Sequence, residues 1–290
     1  MLSPLAATVR QVLSGTDDGR SQIVGLIEEP PGAPGWFDPG DAIWTVHGSV
    51  ATFLGGIRSL LMQTLHPLAL AGVDEHSDYR EDPFGRLQRT GAFIAATTFG
   101  SVGLAERTVA AITAMHDRVT GDVAGKPYSA RDPRLLEWVH VALVDSMLSA
   151  YLAYGHDGEI DPDAYVADMA VVGSALGVVD PPLSLTALRR SIAGFRGELS
   201  GGPRAERMRD FVMSAPLPRS LQPGYGVMAR AAMDSLPDWA VVMLGRQPAP
   251  PPVQRARAVV ADSALRTLSF ALVRSPAQAA GERRLAAAAG

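Results

Sequence analysis

Between Leu135 and Tyr154 the chain reads LLEWVHVALVDSMLSAYLAY, a helical pattern with apolar residues around most of its circumference. A helix that is apolar on every side has to be enclosed by other elements. This stretch therefore predicts a central helix, and the flanking sequence supplies further helices to wrap it. Helical spacing recurs over Ser49–Ala71, bent near His66-Pro67 because proline removes a backbone donor, and over Arg86–Phe99 and Leu104–Val119. It continues from Asp161-Pro162 to Leu176, over Leu185–Leu199 and Ala205–Met213, around Val227 and Trp239, and in a last pair over Val253–Ala289 with an Ala-rich tail. The segments DEHSDYREDPFG and TGDVAGKPYSARDP read as structured loops, with Ser129 or Asp132 capping the helix that follows the second. No run with strand periodicity, no repeat and no domain-sized linker interrupts the series. The expectation is a single all-α domain over residues 1–290, with about ten helices. Residues 1–40 lead in through a short helix and a Pro/Gly-rich stretch, and residues 250–290 form C-terminal helices.

Composition narrows the function classes. Hydrophobic residues make up 47% of the 290 and charged residues 19%, far too apolar for a disordered chain. A net charge of −4 leaves no electrostatic footprint for nucleic acid. The absence of cysteine removes disulfides, Cys-ligated zinc, iron–sulfur clusters and thiol nucleophiles. The N-terminus has no basic segment followed by an apolar core, so no signal peptide is expected and the protein reads as cytoplasmic. The most apolar window, Leu54–Val73, carries Arg58, Gln63, His66 and Pro67 and reads as a buried helix, so no integral membrane span is expected. There is no GxGxxG after a strand, no P-loop, no GxSxG and no HExxH. The Gly55-Gly56 pair sits in a helical context and cradles nothing recognisable.

The six histidines fall into two classes. His47, His76 and His156 lie in or beside turn-like segments, whereas His66, His116 and His140 sit on helices among apolar neighbours. His116 shares a face with Ile112 and Val119, and His140 with Leu136, Leu143 and Val144. Each of the three can be a core histidine bonded to a backbone carbonyl, or one of them can hold a haem iron between helices; spacing does not choose among them. A second cluster lies near the start of the 86–99 helix, where Arg86, Arg89 and Thr90 share one side at i, i+3 and i+4 and Phe93 extends it. That set is either a solvated helix start paired with Asp74, Glu75, Glu81 and Asp82, or a polar lip over a pocket able to hold a carboxylate or propionate. Asp145, among apolar positions, requires an arginine or histidine partner.

The run HPLALAGVDEHSDYREDPFGRLQRT, then AMHDRVTG, then YSARDPRLLEWVHVALVDS, resembles a bacterial and fungal oxygenase family. Its members include the rubber oxygenases (latex clearing proteins) and the fungal oxygenase that trims the isoprenoid chain in mycophenolic acid biosynthesis. The likeness covers roughly residues 40–200 in order, and the remainder more loosely.

The resemblance implies an all-helical fold enclosing a b-type haem, with dioxygen as co-substrate on the face opposite a single proximal histidine. By motif, AMHDR places that iron ligand at His116, and RLQRT places the distal cluster at Arg86, Arg89 and Thr90. The rubber enzymes carry lysine at the position of Arg89; an arginine stays charged and does not approach iron as that lysine can. Their distal glutamate has no clean counterpart, Glu75 being the nearest. His66, His140 and Phe93 belong with the cofactor pocket, the two histidines ordering it through hydrogen bonds. The implied partner is a hydrophobic small-molecule substrate: an isoprenoid, a lipid or a secondary metabolite. Three alternatives stand beside this reading. They are a haem carrier or sensor without turnover, a haem-free helical ligand-binding protein, and a non-haem iron site built from His66, His76 or His140 with Glu75.

Overall fold

The computed structural model describes residues 22–272 and 275–287, with the side chains of residues 83, 84, 87 and 270–272 outside the description. Residues 1–21, which carry most of the expected N-terminal lead-in, and the last three residues of the Ala-rich tail lie outside it as well. Among the described residues the chain forms fourteen helices and one short hairpin. In chain order the elements are α1 (Gln22–Ile27), α2 (Ala42–Gly48), α3 (Ala51–Gln63), α4 (Pro67–His76), α5 (Pro83–Phe99), α6 (Val102–His116), β1 (Thr120–Val123), β2 (Lys126–Ser129), α7 (Pro133–Tyr154), α8 (Pro162–Ala175), α9 (Leu185–Gly194), α10 (Pro203–Met213), α11 (Gln222–Asp234), α12 (Asp238–Met243), α13 (Pro251–Leu272) and α14 (Pro276–Ala286). The all-α reading holds, with more and shorter helices than the periodicity suggested.

Helix starts follow local chemistry. Asp82, Asp132, Asp161 and Ser275 each precede a proline, and their side chains accept from the backbone N–H of Gly85, Arg134, Asp163 and Gln278. A short acceptor at the N-cap satisfies an otherwise orphaned donor, and proline at the first helical position loses nothing by lacking its own. The expected continuous helix over 49–71 is two helices, α3 and α4, separated at Thr64–His66. His66 takes the N-cap role, its Nδ1 accepting from Ala69 N–H at 3.5 Å. The turn-rich DEHSDYREDPFG segment is helical as far as His76.

The central helix is α7, packed most extensively on α3. Around this pair sit α2, α4, α8 and α9 against α7, and α10 and α11 against α3, while α13 covers α11. On the other side, α5 packs on α6, and α14 closes against α1, α2 and α5. Trp44, Trp138, Tyr165, Phe99 and Phe195 are buried between these layers. Gly55 lets α3 approach α7 closely, since a Cβ there would lie 2.8 Å from Met147 Sδ and 3.1 Å from Met147 Cα. Across the same interface Arg58 Nη1 donates to Asp145 Oδ2 at 2.7 Å and to Ser146 Oγ at 2.8 Å, the arginine partner that Asp145 requires. Pro133–Tyr154 alone among the described helices is long and apolar enough to cross a membrane, and 61% of its most apolar window is buried inside the fold.

The expectation that no strand interrupts the helices fails as well. The TGDVAGKPYSARDP loop contains an antiparallel hairpin, with Thr120 opposite Ser129 and Gly121 opposite Tyr128. Its two-residue turn has positive φ at both Ala124 (53°) and Gly125 (81°), the geometry that matches the twist of paired strands. Ala124 in place of the usual Asn or Asp, and Gly121 and Pro127 within the strands, hide the hairpin from pattern reading.

Candidate functional site

Helices α5 and α6 are joined through Gly100-Ser101 and pack on each other, with 17 and 15 residues. The start of α5 and the end of α6 are the two ends away from that connection. Arg86, Arg89 and Thr90 are on that first part of α5, and His116 is the last residue of α6.

The three helical histidines differ in what surrounds them. Each has one buried nitrogen without a hydrogen-bond partner: Nε2 of His66, Nδ1 of His116 and Nε2 of His140. The His140 ring is closed off by α8, where a Cβ on Gly173 would come within 2.7 Å of it. Burial pushes His140 down to about 4. His66 is enclosed by Trp138 and Phe195, both with ring centroids at 6.4 Å, and its Nε2 lies 3.8 Å from Glu198 Oε2. Burial holds the His66 imidazole below its ordinary value, against an opposing pull from Glu198. His116 sits at a helix terminus and is only half-buried. Burial, with Arg131 adding to it, likewise keeps it neutral at higher acidity than a free histidine. Of the three, His116 alone is only half-buried, at the last residue of α6, while His66 and His140 are buried.

The other three histidines are committed elsewhere. His47, expected near a turn, lies within the short helix α2 and is buried, its Nδ1 2.7 Å from Thr98 Oγ1 and its Nε2 3.1 Å from Tyr165 Oη. Burial pushes it down to about 3. A seven-residue helix is too short to leave a periodic signature. His76 Nε2 donates to the carbonyl of Thr120 at 3.0 Å, and His156 Nε2 is 2.8 Å from Asp262 Oδ1. Among the described residues no three His, Asp or Glu side chains converge as a metal set. The non-haem alternative therefore lacks its ligand cluster. Glu75, its proposed carboxylate, instead accepts from Tyr128 Oη at 2.6 Å and from Arg204 Nη2 at 3.2 Å.

The arginine cluster divides. Arg86 is half-buried and donates to Ser77 Oγ at 2.6 Å, with its guanidinium 6.0 Å from the centre of the Tyr79 ring. Burial lowers its pKa, Tyr79 working against the shift and Arg89 with it. Arg89 is exposed and pairs with Asp82 at 3.3 Å, the solvated arrangement expected of a helix start. The Thr90 hydroxyl donates to the Arg86 carbonyl at 3.1 Å. Phe93 is half-buried against the main core. Ser77, Tyr79, Tyr128 and Arg204 were not singled out from sequence, although Ser77, Tyr79 and Tyr128 lie inside the runs that carry the family resemblance. A groove of about 410 Å³ lies elsewhere, between α11 and α13, and none of the candidate residues lines it.

The donor chemistry at His116 is that of a single neutral imidazole. A bare ion would need further protein ligands, whereas a haem would need a single protein donor for its iron, which His116 would supply. The residues present fit such a group.

No curated protein and no solved structure matches the chain. Residues 44–270 match the catalytic domain of the family described as ER-bound oxygenase mpaB/B'/Rubber oxygenase. That match takes in every element from α3 to α12, and with them both ends of the α5–α6 pair: the chain belongs to the mpaB/rubber oxygenase family.

Proposed function

We propose that the protein is a haem b-dependent oxygenase acting on a hydrophobic small molecule, an isoprenoid, lipid or secondary metabolite, with dioxygen as co-substrate. Family membership supports the oxygenase class. The observation that carries the haem assignment is the buried, unpartnered Nδ1 of the half-buried His116 at the end of α6, with no cluster of three His, Asp or Glu side chains among the described residues. When bound, haem supplies the iron chemistry that activates dioxygen, which no amino-acid side chain can provide.

The chain's own residues do the rest. His116 presents a neutral imidazole, the protonation state in which it would hold a haem iron. Arg86 holds a half-buried positive charge that donates to the Ser77 hydroxyl and has no carboxylate partner among the described residues, leaving guanidinium donors for a propionate or a developing negative charge. Arg89, with its charge shared with Asp82, is the weaker of the two arginines for that role. Thr90 can add a hydrogen bond by exchanging the Arg86 carbonyl for a bound acceptor.

The test is an absorption spectrum of protein purified from haem-supplied cells, before and after dithionite and carbon monoxide. A Soret band at stoichiometric haem content that shifts with carbon monoxide is expected. His116→Ala should abolish haem binding with the helical circular dichroism retained, while His140→Ala should keep it. Arg86→Ala should retain haem and lower substrate-dependent dioxygen uptake by about tenfold or more. A colourless protein that refuses added haemin defeats the cofactor assignment, and full haem content in His116→Ala moves the ligand elsewhere.

A further inference from the structure

Four consecutive residues at the end of α4 each reach a different part of the molecule. Asp74 accepts from Tyr79 Oη at 2.8 Å, pairs with Arg80 and is approached by Arg204 Nε at 3.5 Å. Glu75 accepts from Tyr128 on β2 and from Arg204 on α10. His76 donates to the Thr120 carbonyl on β1, and Ser77 accepts from Arg86 on α5. The hairpin they grip begins directly after the turn that follows His116, with Val119 N–H donating back to the His116 carbonyl at 3.1 Å.

We propose that the segment Asp74–Ser77, the last turn of α4 and its C-cap, is a positioning clamp: it fixes His116, through the hairpin, relative to Arg86, which it holds directly. The inference rests on the roles given above to His116 and Arg86, and assigns the clamp residues no contact with substrate or cofactor. Its strongest joint is Tyr128 to Glu75. The Tyr128 ring lies across Gly121, so closely that a Cβ there would meet the ring at 2.5–2.6 Å. That contact, with the packing of Tyr128 among Ala71 and Leu135, leaves the phenol one direction, toward Glu75. Arg204 meets Glu75 at its other oxygen, a solvent-exposed contact that favours this carboxylate position. Glu75 is on this view a strut and not a distal base, since both its oxygens are already engaged.

Tyr128→Phe removes only the hydroxyl, and Glu75→Gln keeps the shape and removes the charge. In haemin titrations each should weaken binding by about three- to tenfold and change the ferric Soret position, and the double variant should be no worse than the poorer single one. Unfolding midpoints should stay within about 2 °C of the parent. The parallel readout uses apoprotein: nitrogen–proton correlation spectra of the His116 ring and the Arg86 Nε–H at one pH. Tyr128→Phe should move the His116 ring signals and Ser77→Ala the Arg86 signal. Haemin affinity within about twofold of the parent together with unmoved apoprotein signals overturns the clamp. So does a loss of affinity matched by an equal loss of stability. If the parent takes up no haemin, the cofactor assignment fails by itself and the apoprotein signals decide the clamp.

Discussion

At the scale of single residues, burial sets what each polar group has to do. Arg58 is 3% exposed, and its charge is met by Asp145 and Ser146 across the α3–α7 interface and by the Ser235 carbonyl at the end of α11. Burying a pair gains little net stability, whereas removing one partner strands the other's charge away from water. Asp145→Ala should therefore cost about 3 kcal/mol in urea unfolding, and Arg58→Met combined with Asp145→Leu should recover most of it. A double variant as unstable as Asp145→Ala would mean that the arginine side chain contributes through packing alone. The need for a partner at Asp145 was legible from its apolar neighbours. Which of the 26 basic residues would meet it was not, because Arg58 lies on a different helix and helical periodicity carries no information across elements.

Between elements, the closest approach of α3 and α7 is set by one glycine of a pair. Gly55 faces the Met147 backbone, while a Cβ on its neighbour Gly56 meets nothing within 4 Å. The two should respond oppositely to alanine. Gly55→Ala should destabilise by about 1–3 kcal/mol, because a backbone atom cannot step aside. Gly56→Ala should stabilise by about 0.5–1 kcal/mol through helix propensity. Equal effects at both positions, measured by chemical denaturation, would contradict the interface. The helix starts at Asp132-Pro133 and Asp161-Pro162 were readable in the sequence since capping is local, whereas Asp82-Pro83 lay in a stretch that reads as a loop. The hairpin after His116 was not, since its four-residue strands gain stability from Tyr128 and Val119 packing on α4 and not from strand propensity.

For the molecule as a whole, the buried neutral histidines tie stability to pH. His47 titrates at about 3 and His140 at about 4 in the folded state, against an ordinary value of 6.5. Between those limits the unfolded chain binds protons that the folded chain refuses, so stability rises with pH through this window and falls on acidification. Each such histidine contributes up to about 1.4 kcal/mol per pH unit below 6.5, until its folded-state value is reached. The urea midpoint should drop steadily from pH 6.5 to 4.5, and His47→Gln should flatten that dependence whatever it does to stability at neutral pH. An unchanged slope in His47→Gln would remove His47 from the account.

From the sequence alone come the fold class, the central helix, most helix starts and the oxygenase family. Periodicity, capping and motif order are written in neighbouring residues, so those conclusions need no knowledge of what touches what. The tertiary structure decided the rest. It sealed His140 behind Gly173 and His66 behind Trp138, split the arginine pair into a held Arg86 and a solvated Arg89, and occupied Glu75 with Tyr128 and Arg204. Spacing along a helix says which residues share a face; only the packing of helices against one another settles how each is enclosed, and of the three candidate histidines, each with a buried nitrogen lacking a partner, it left His116 alone half-buried.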